Sequence, residues 1–182
     1  MYRDNTLVPA EATRLLALGL LMENPMSYAM LAQTVRGFTS LVVGPSLDLI
    51  GTPLEVLKVE GLVSVNDASD TETLSLTDAG QEEFSYLMGS NLRAPVTDMS
   101  KLIIAIKMRL LHLADQTTQT MQVNLLVDIY ERQLNRLLEL KQGYSTTEGQ
   151  FDSWLDLDIK HTTEQLKTYE NIAEDMAKVL PK

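Results

Sequence analysis

The sequence predicts a mainly α protein in two unlike parts, a run of short helices with one two-stranded hairpin over residues 1–92 and a set of long helices over residues 93–182. Three observations predict this. Strand-like alternation is confined to residues 62–65 and 71–76. Apolar residues at three- and four-residue spacing run through most of the second part with almost no Gly or Pro to interrupt them. The composition, 45% apolar and 22% charged, is that of a chain that can build a core.

Pro9-Ala10-Glu11 opens the first helix, because a first turn does not need the N–H that Pro lacks. Leu15, Leu16, Leu18, Leu20, Leu21 and Met22 are too apolar for anything but a buried position, and Asn24-Pro25 stops the helix. Ser27 caps a second helix over 28–36, with Met30, Leu31 and Val35 inward and Gly37 as its end. Residues 38–46 then read as a loop ending in Gly44-Pro45-Ser46. The third helix has two possible starts: Ser46 as cap, or Thr52-Pro53-Leu54-Glu55 as a capping box with Pro at the first position. Gly61 ends it in either case. Leu62-Val63-Ser64-Val65 and Thr71-Glu72-Thr73-Leu74-Ser75-Leu76 make a hairpin around the turn at 66–70, and Thr77 caps a fourth helix. Three helices, a two-stranded wing and a helix are the layout of a winged helix-turn-helix domain.

In the second part, Thr97 caps a helix in which Leu102, Ile103, Ile104, Ile106, Met108, Leu110, Leu111 and Leu113 are apolar on nearly every side. Such a helix must be covered all round, which on sequence grounds asks for a second subunit. Gln116–Thr120 reads as a polar loop or helix start. A helix over 121–141 follows, with Val123, Leu126, Tyr130, Leu134, Leu137 and Lys141 on one face and an Asp128–Arg132 pair on the other. The last helix, 150–179, keeps Leu155, Ile159, Thr162, Leu166, Tyr169, Ala173, Met176 and Leu180 at heptad spacing. Two long helices joined by a short polar loop predict an antiparallel hairpin.

Three stretches carry a family resemblance. They are Leu18-Gly19-Leu20-Leu21-Met22-Glu23-Asn24-Pro25-Met26-Ser27-Tyr28, Leu57-Lys58-Val59-Glu60-Gly61-Leu62-Val63 and Leu74-Ser75-Leu76-Thr77-Asp78-Ala79-Gly80. They resemble, in turn, the opening helix and turn, the recognition-helix end with the first wing strand, and the second wing strand with its Leu-Thr-x-x-Gly helix cap of PadR-like transcriptional regulators. Related winged-helix repressors of the MarR type share them. Arg93-Ala94-Pro95-Val96-Thr97-Asp98 is similar to the entry into the helical dimerisation domain of the longer PadR-like proteins, so the resemblance covers residues 10–178. It implies a homodimeric regulator that binds operator DNA, with a winged-helix domain at 1–92 and a helical dimerisation domain at 93–182. The dimer interface it implies holds Leu126, Tyr130, Leu134, Leu137, Leu155, Ile159, Leu166, Tyr169 and Met176.

A winged helix meets DNA through cations, hydroxyls and backbone N–H groups on phosphates and through its recognition helix on base edges. The residues of the right type are Arg36, Thr39, Ser40, Ser46, Thr52 and Lys58. The charge pattern opposes them. The chain has 15 Lys plus Arg against 25 Asp plus Glu, a net charge of −10. Most of the excess lies before residue 91, where Arg3, Arg14, Arg36 and Lys58 are the only cations, and Asp48, Gly51 and Glu55 fall where recognition helices carry Arg, Lys or Tyr. From Val59 to Leu92 there is no Lys or Arg, and the wing tip reads Asp67-Ala68-Ser69-Asp70. Two readings therefore stand side by side: a DNA-binding regulator, and an acidic winged-helix module, an antirepressor or adaptor, that docks on a basic protein partner.

No catalytic constellation is visible, and no cofactor is implied. There is no Cys, which excludes a disulfide framework and a cysteine nucleophile. His112 and His161 have no partner at ligand spacing. Asp152, Asp156 and Asp158 sit where acids favour a helix start, and no Gly-rich phosphate loop occurs. Trp154, the single Trp, reads as a core or interface anchor. The longest apolar run, 15–22, is too short for a membrane span, and the N-terminus has no signal-peptide pattern, so a soluble cytoplasmic protein is expected.

Overall fold

The computed structural model describes residues 6–44, 51–66, 72–92, 94, 96–144 and 149–179. The helices are α1 (Pro9–Glu23), α2 (Tyr28–Val43), α3 (Gly51–Val59), α4 (Asp78–Met88), α5 (Asp98–Leu110), α6 (Gln116–Tyr144) and α7 (Phe151–Val179). Strands β1 (Val63–Asn66) and β2 (Thr73–Leu76) pair antiparallel, with Val63 opposite Leu76 and Val65 opposite Leu74. Packing divides the chain into two compact units, residues 1–118 and 119–182. Helix α5, which lies beyond the 92/93 division read from the sequence, packs with the first unit.

The first unit is built around α1. Its residues Leu15, Leu16, Ala17 and Leu18 are fully buried, and it packs against α2, α3, α4, α5 and β2. Pro9 occupies the first turn, and Glu11 accepts a hydrogen bond from the Val8 N–H at 2.8 Å. Met26, in the turn after α1, exchanges backbone hydrogen bonds with Leu74, so the turn lies along β2. The caps predicted at Ser27, Thr77 and Thr97 are all formed, each side chain accepting from the N–H three residues on. Thr77 also donates to the Gly61 carbonyl at 2.8 Å, tying the start of α4 to the end of α3. Only Gly fits at position 80, since a Cβ there would stand 2.2 Å from the Leu62 carbonyl oxygen.

Helix α2 is longer than the sequence reading, which ended it at Gly37. Leu31, Val35 and Thr39 form a buried stripe at four-residue spacing, and this stripe carries the helix through Gly37. A Gly inside a helix costs about 1 kcal/mol against Ala, less than burying that face returns. The helix stops at Gly44, where φ is 84° and the N–H closes onto Ser40. Thr39 and Ser40 are thus helical residues, not loop residues.

Helix α5 overturns the inference that its all-round apolar surface requires a second subunit. Leu102, Ile103, Ile106 and Leu110 are buried within the chain, against α1 and α2. Close approach is possible because Gly19 lies under Leu110; a Cβ at 19 would meet Leu110 Cδ1 at 2.4 Å. Lys107 is buried on the same helix. Its Nζ donates to the Met88 carbonyl at 3.1 Å and to the Ser90 carbonyl, bracing the end of α4, and burial lowers its pKa to about 7. A 3₁₀ turn, Leu111–Leu113, follows α5.

The second unit is the predicted antiparallel pair. Tyr130 on α6 stacks on Tyr169 of α7 at 5.3 Å between ring centres, and Lys141 pairs with Asp156 nearer the loop. At the far end Val123 and Asn124 line a small cleft with Ala173 and Met176. Burial raises the Tyr130 pKa to about 12 and also raises that of Tyr169. Of the two alternatives for residues 116–120, the helix start is the one formed: Asp115 accepts from the Thr118 N–H at 3.0 Å and from its hydroxyl at 2.6 Å, which makes these polar residues a capped first turn. Those bonds hold the Asp115 carboxyl below its ordinary range.

Candidate nucleic-acid interface

The winged helix presents its third helix by burying one side of it. Leu54 and Leu57 of α3 are in the core against α1, which leaves Glu55, Lys58 and Val59 exposed on the other side. Of the residues predicted to meet DNA, Arg36 and Lys58 are both exposed, on α2 and α3. Ser40 is half-buried and its hydroxyl donates to the Gly37 carbonyl at 3.0 Å. Thr39 is a correction: it is 2% exposed, and its hydroxyl is spent on the Val35 and Arg36 carbonyls, so it offers nothing to a phosphate. Ser46, the side chain of Thr52 and the wing tip at 67–70 lie outside the described residues.

The acidity around α3 is partly neutralised by a residue that the sequence did not single out. Arg14 on α1 reaches Glu60, just past α3, at 2.9 Å and Glu83 on α4 at 3.0 Å. Burial alone would lower the Arg14 pKa, but the hydrogen bonds and charges of Glu83 and Glu60 outweigh it and hold the guanidinium above its ordinary value. One planar guanidinium with several donors is suited to bridging two carboxylates. Glu72, Asp78 and Glu82 remain exposed. The Asp and Glu residues near the wing therefore fall into two sets, one that locks helices together and one that faces water.

In the helical pair, Leu126, Tyr130 and Leu155 of the predicted dimer interface are already buried within one chain. Leu134, Leu137, Ile159, Leu166, Tyr169 and Met176 are half-buried. Trp154 is not a core residue: it is 54% exposed and leans on Phe151. His112 is exposed, 3.6 Å from a Glu23 carboxylate that Arg109 also holds at 2.7 Å. Among the described residues no group of three or more His, Asp or Glu could hold a metal ion, and no helix is long and apolar enough to cross a membrane.

A winged-helix unit with, among the described residues, helices α1 to α5, followed in the chain by a pair of long antiparallel helices, defines a winged-helix protein of the kind found among transcriptional regulators. Residues 2–173 match the family described as "Putative AphA-like transcriptional regulator", and the chain belongs to that family. No curated protein matches it. Among solved structures it is similar to a PadR-like transcriptional regulator of Bacillus cereus, at 20% identity over 91% of this chain and 98% of the other, with a TM-score of 0.38. It is also similar to Bacillus subtilis PadR, at 15% identity over 94% and 98% of the two chains (TM-score 0.40), and to the same protein in complex with operator DNA, at 15% over 90% and 96% (TM-score 0.36).

Proposed function

We propose that this transcriptional regulator acts in the cytoplasm as a homodimer that binds operator DNA. Helix α3 enters the major groove, and Arg36, Lys58, Ser40, Ser46 and Thr52 contact phosphates. The winged-helix part, residues 1–92, carries DNA binding, and the long helices after residue 93 carry dimerisation. The observation that supports this best is α3 itself, where Leu54 and Leu57 are buried and Glu55, Lys58 and Val59 are left open. The half-buried leucines of α6 and α7 support the dimer, since two helices cannot cover each other's apolar faces completely.

The test is fluorescence-anisotropy titration of the full chain with fragments of its own upstream DNA, from low to physiological salt. Specific binding that survives physiological salt is expected. Arg36→Ala with Lys58→Ala is expected to weaken it and to reduce the salt slope by about one unit per phosphate contact removed. Unchanged affinity and slope would refute the contact assignment. The second reading, an acidic module for a basic protein partner, is favoured by the absence of Lys and Arg from Val59 to Leu92. Absence of DNA binding even at low salt would move the assignment to it.

A further inference from the structure

We infer that Glu55 is a specificity-determining residue that selects a cytosine in the operator, by accepting a hydrogen bond from the cytosine N4 amino group in the major groove. This rests on the DNA-binding reading above and goes beyond it to the base that α3 reads. Glu55 lies midway along α3, on its exposed side, and side chains on the open face of a recognition helix are the ones that reach base edges. Its carboxylate differs from the neighbouring Glu60. Arg14 holds Glu60 at 2.9 Å, whereas among the described residues no cation or hydrogen-bond donor holds Glu55, and Lys58 three residues on does not pair with it.

An open carboxylate on a helix facing a polyanion weakens binding to every sequence, because it repels phosphates. It contributes only if it discriminates among bases. An ionised carboxylate is acceptor-only. In the major groove guanine shows two acceptors, thymine an acceptor and a methyl group, and adenine an acceptor beside its donor. Cytosine alone shows a donor without an acceptor. Glu55 therefore favours cytosine and rejects guanine most strongly at the same position.

The experiment selects duplexes from a randomised pool with the full-length wild type, Glu55→Ala and Glu55→Gln, then measures affinity for the selected sites and for base-substituted versions. For the wild type, one cytosine per half-site is expected to be enriched, with about 5- to 100-fold weaker binding when it is replaced. Glu55→Ala should erase that preference and tighten binding to unrelated DNA. Glu55→Gln should move the preference to adenine, which a Gln side chain recognises through two hydrogen bonds. Sites selected by the wild type that Glu55→Ala reads with the same preferences would overturn the inference and leave DNA binding intact. Tighter non-specific binding with unchanged preferences would also overturn it, reducing Glu55 to a repulsive charge. Failure of the wild type to select any DNA would overturn the DNA-binding reading and this inference with it. Glu55 is exposed, so both variants should keep the wild-type circular dichroism spectrum.

Discussion

The two units solve the problem of burying apolar surface differently. In the first, α1 is surrounded by four helices and a strand, and Leu15, Leu16 and Leu18 lose all contact with water. In the second, α6 and α7 are each 29 residues long and lie antiparallel. Val123, Leu126 and Leu155 are covered, but Leu134, Leu137, Leu166 and Met176 stay half in water. The difference shows that heptad spacing states which residues want a partner without saying whether one chain can supply it. A hub helix satisfies every side of itself; a pair of helices leaves an unfinished face.

Substitution at matched positions should separate the two units most clearly. Leu16→Ala is expected to cost about 3–5 kcal/mol in urea unfolding followed by circular dichroism, since it empties a closed site. Leu137→Ala should cost about 1 kcal/mol or less in dilute protein, and under the dimer proposed above the cost should rise with protein concentration, because a second copy would cover its exposed part. Equal, concentration-independent costs would break the comparison.

A smaller effect concerns pH. The folded-state pKa of Lys107 is about 7 against 10.5 for an unperturbed lysine. Between those values the unfolded chain binds the extra proton and the folded chain does not, so this group makes stability rise with pH from about 7 to about 10.5. The rise is on the order of a few kcal/mol at most, because the Met88 and Ser90 carbonyls that accept from Nζ favour its charged form. Lys107→Met should flatten the stability-versus-pH curve over that window. A curve parallel to the wild type would show that the buried ammonium keeps an ordinary pKa.

The smallest effects sharpen the comparison at the surface. Thr77→Ala removes a cap that also holds the Gly61 carbonyl and should cost about 1 kcal/mol. Asp156→Asn removes the Lys141 ion pair of the helical unit, which is solvent-exposed, and should shift stability by about 0.5 kcal/mol or less. A loss at Asp156 well above 0.5 kcal/mol would mean that the ion pair contributes more to holding α6 on α7 than an exposed pair ordinarily does.

The site was only partly legible. The capped starts of α4 and α5 follow from local signals and are formed, while Glu55 and Lys58, noted from residue type, lie exposed on α3. Thr39 was misread because Gly37 looked like a helix end, whereas the buried Leu31–Val35–Thr39 stripe carries the helix past it. Arg14 had no local signal at all: its partners lie 46 and 69 residues away. A loop and a helix start were both open for residues 116–120, and the Asp115 cap decides between them.

By itself the sequence determined the order and kind of the elements, the caps at Ser27, Thr77 and Thr97, the hairpin, and the pairing of the two long helices. Those depend on interactions a few residues apart, which spacing and side-chain type express directly. The tertiary structure alone decided that α5 is buried by α1 and α2 of the same chain, that Arg14 neutralises Glu60 and Glu83 while Glu55 has no partner among the described residues, and that Lys107 braces the end of α4. Each of these depends on which distant surfaces meet, and burial and charge pairing between distant residues leave no periodicity in the chain that makes them.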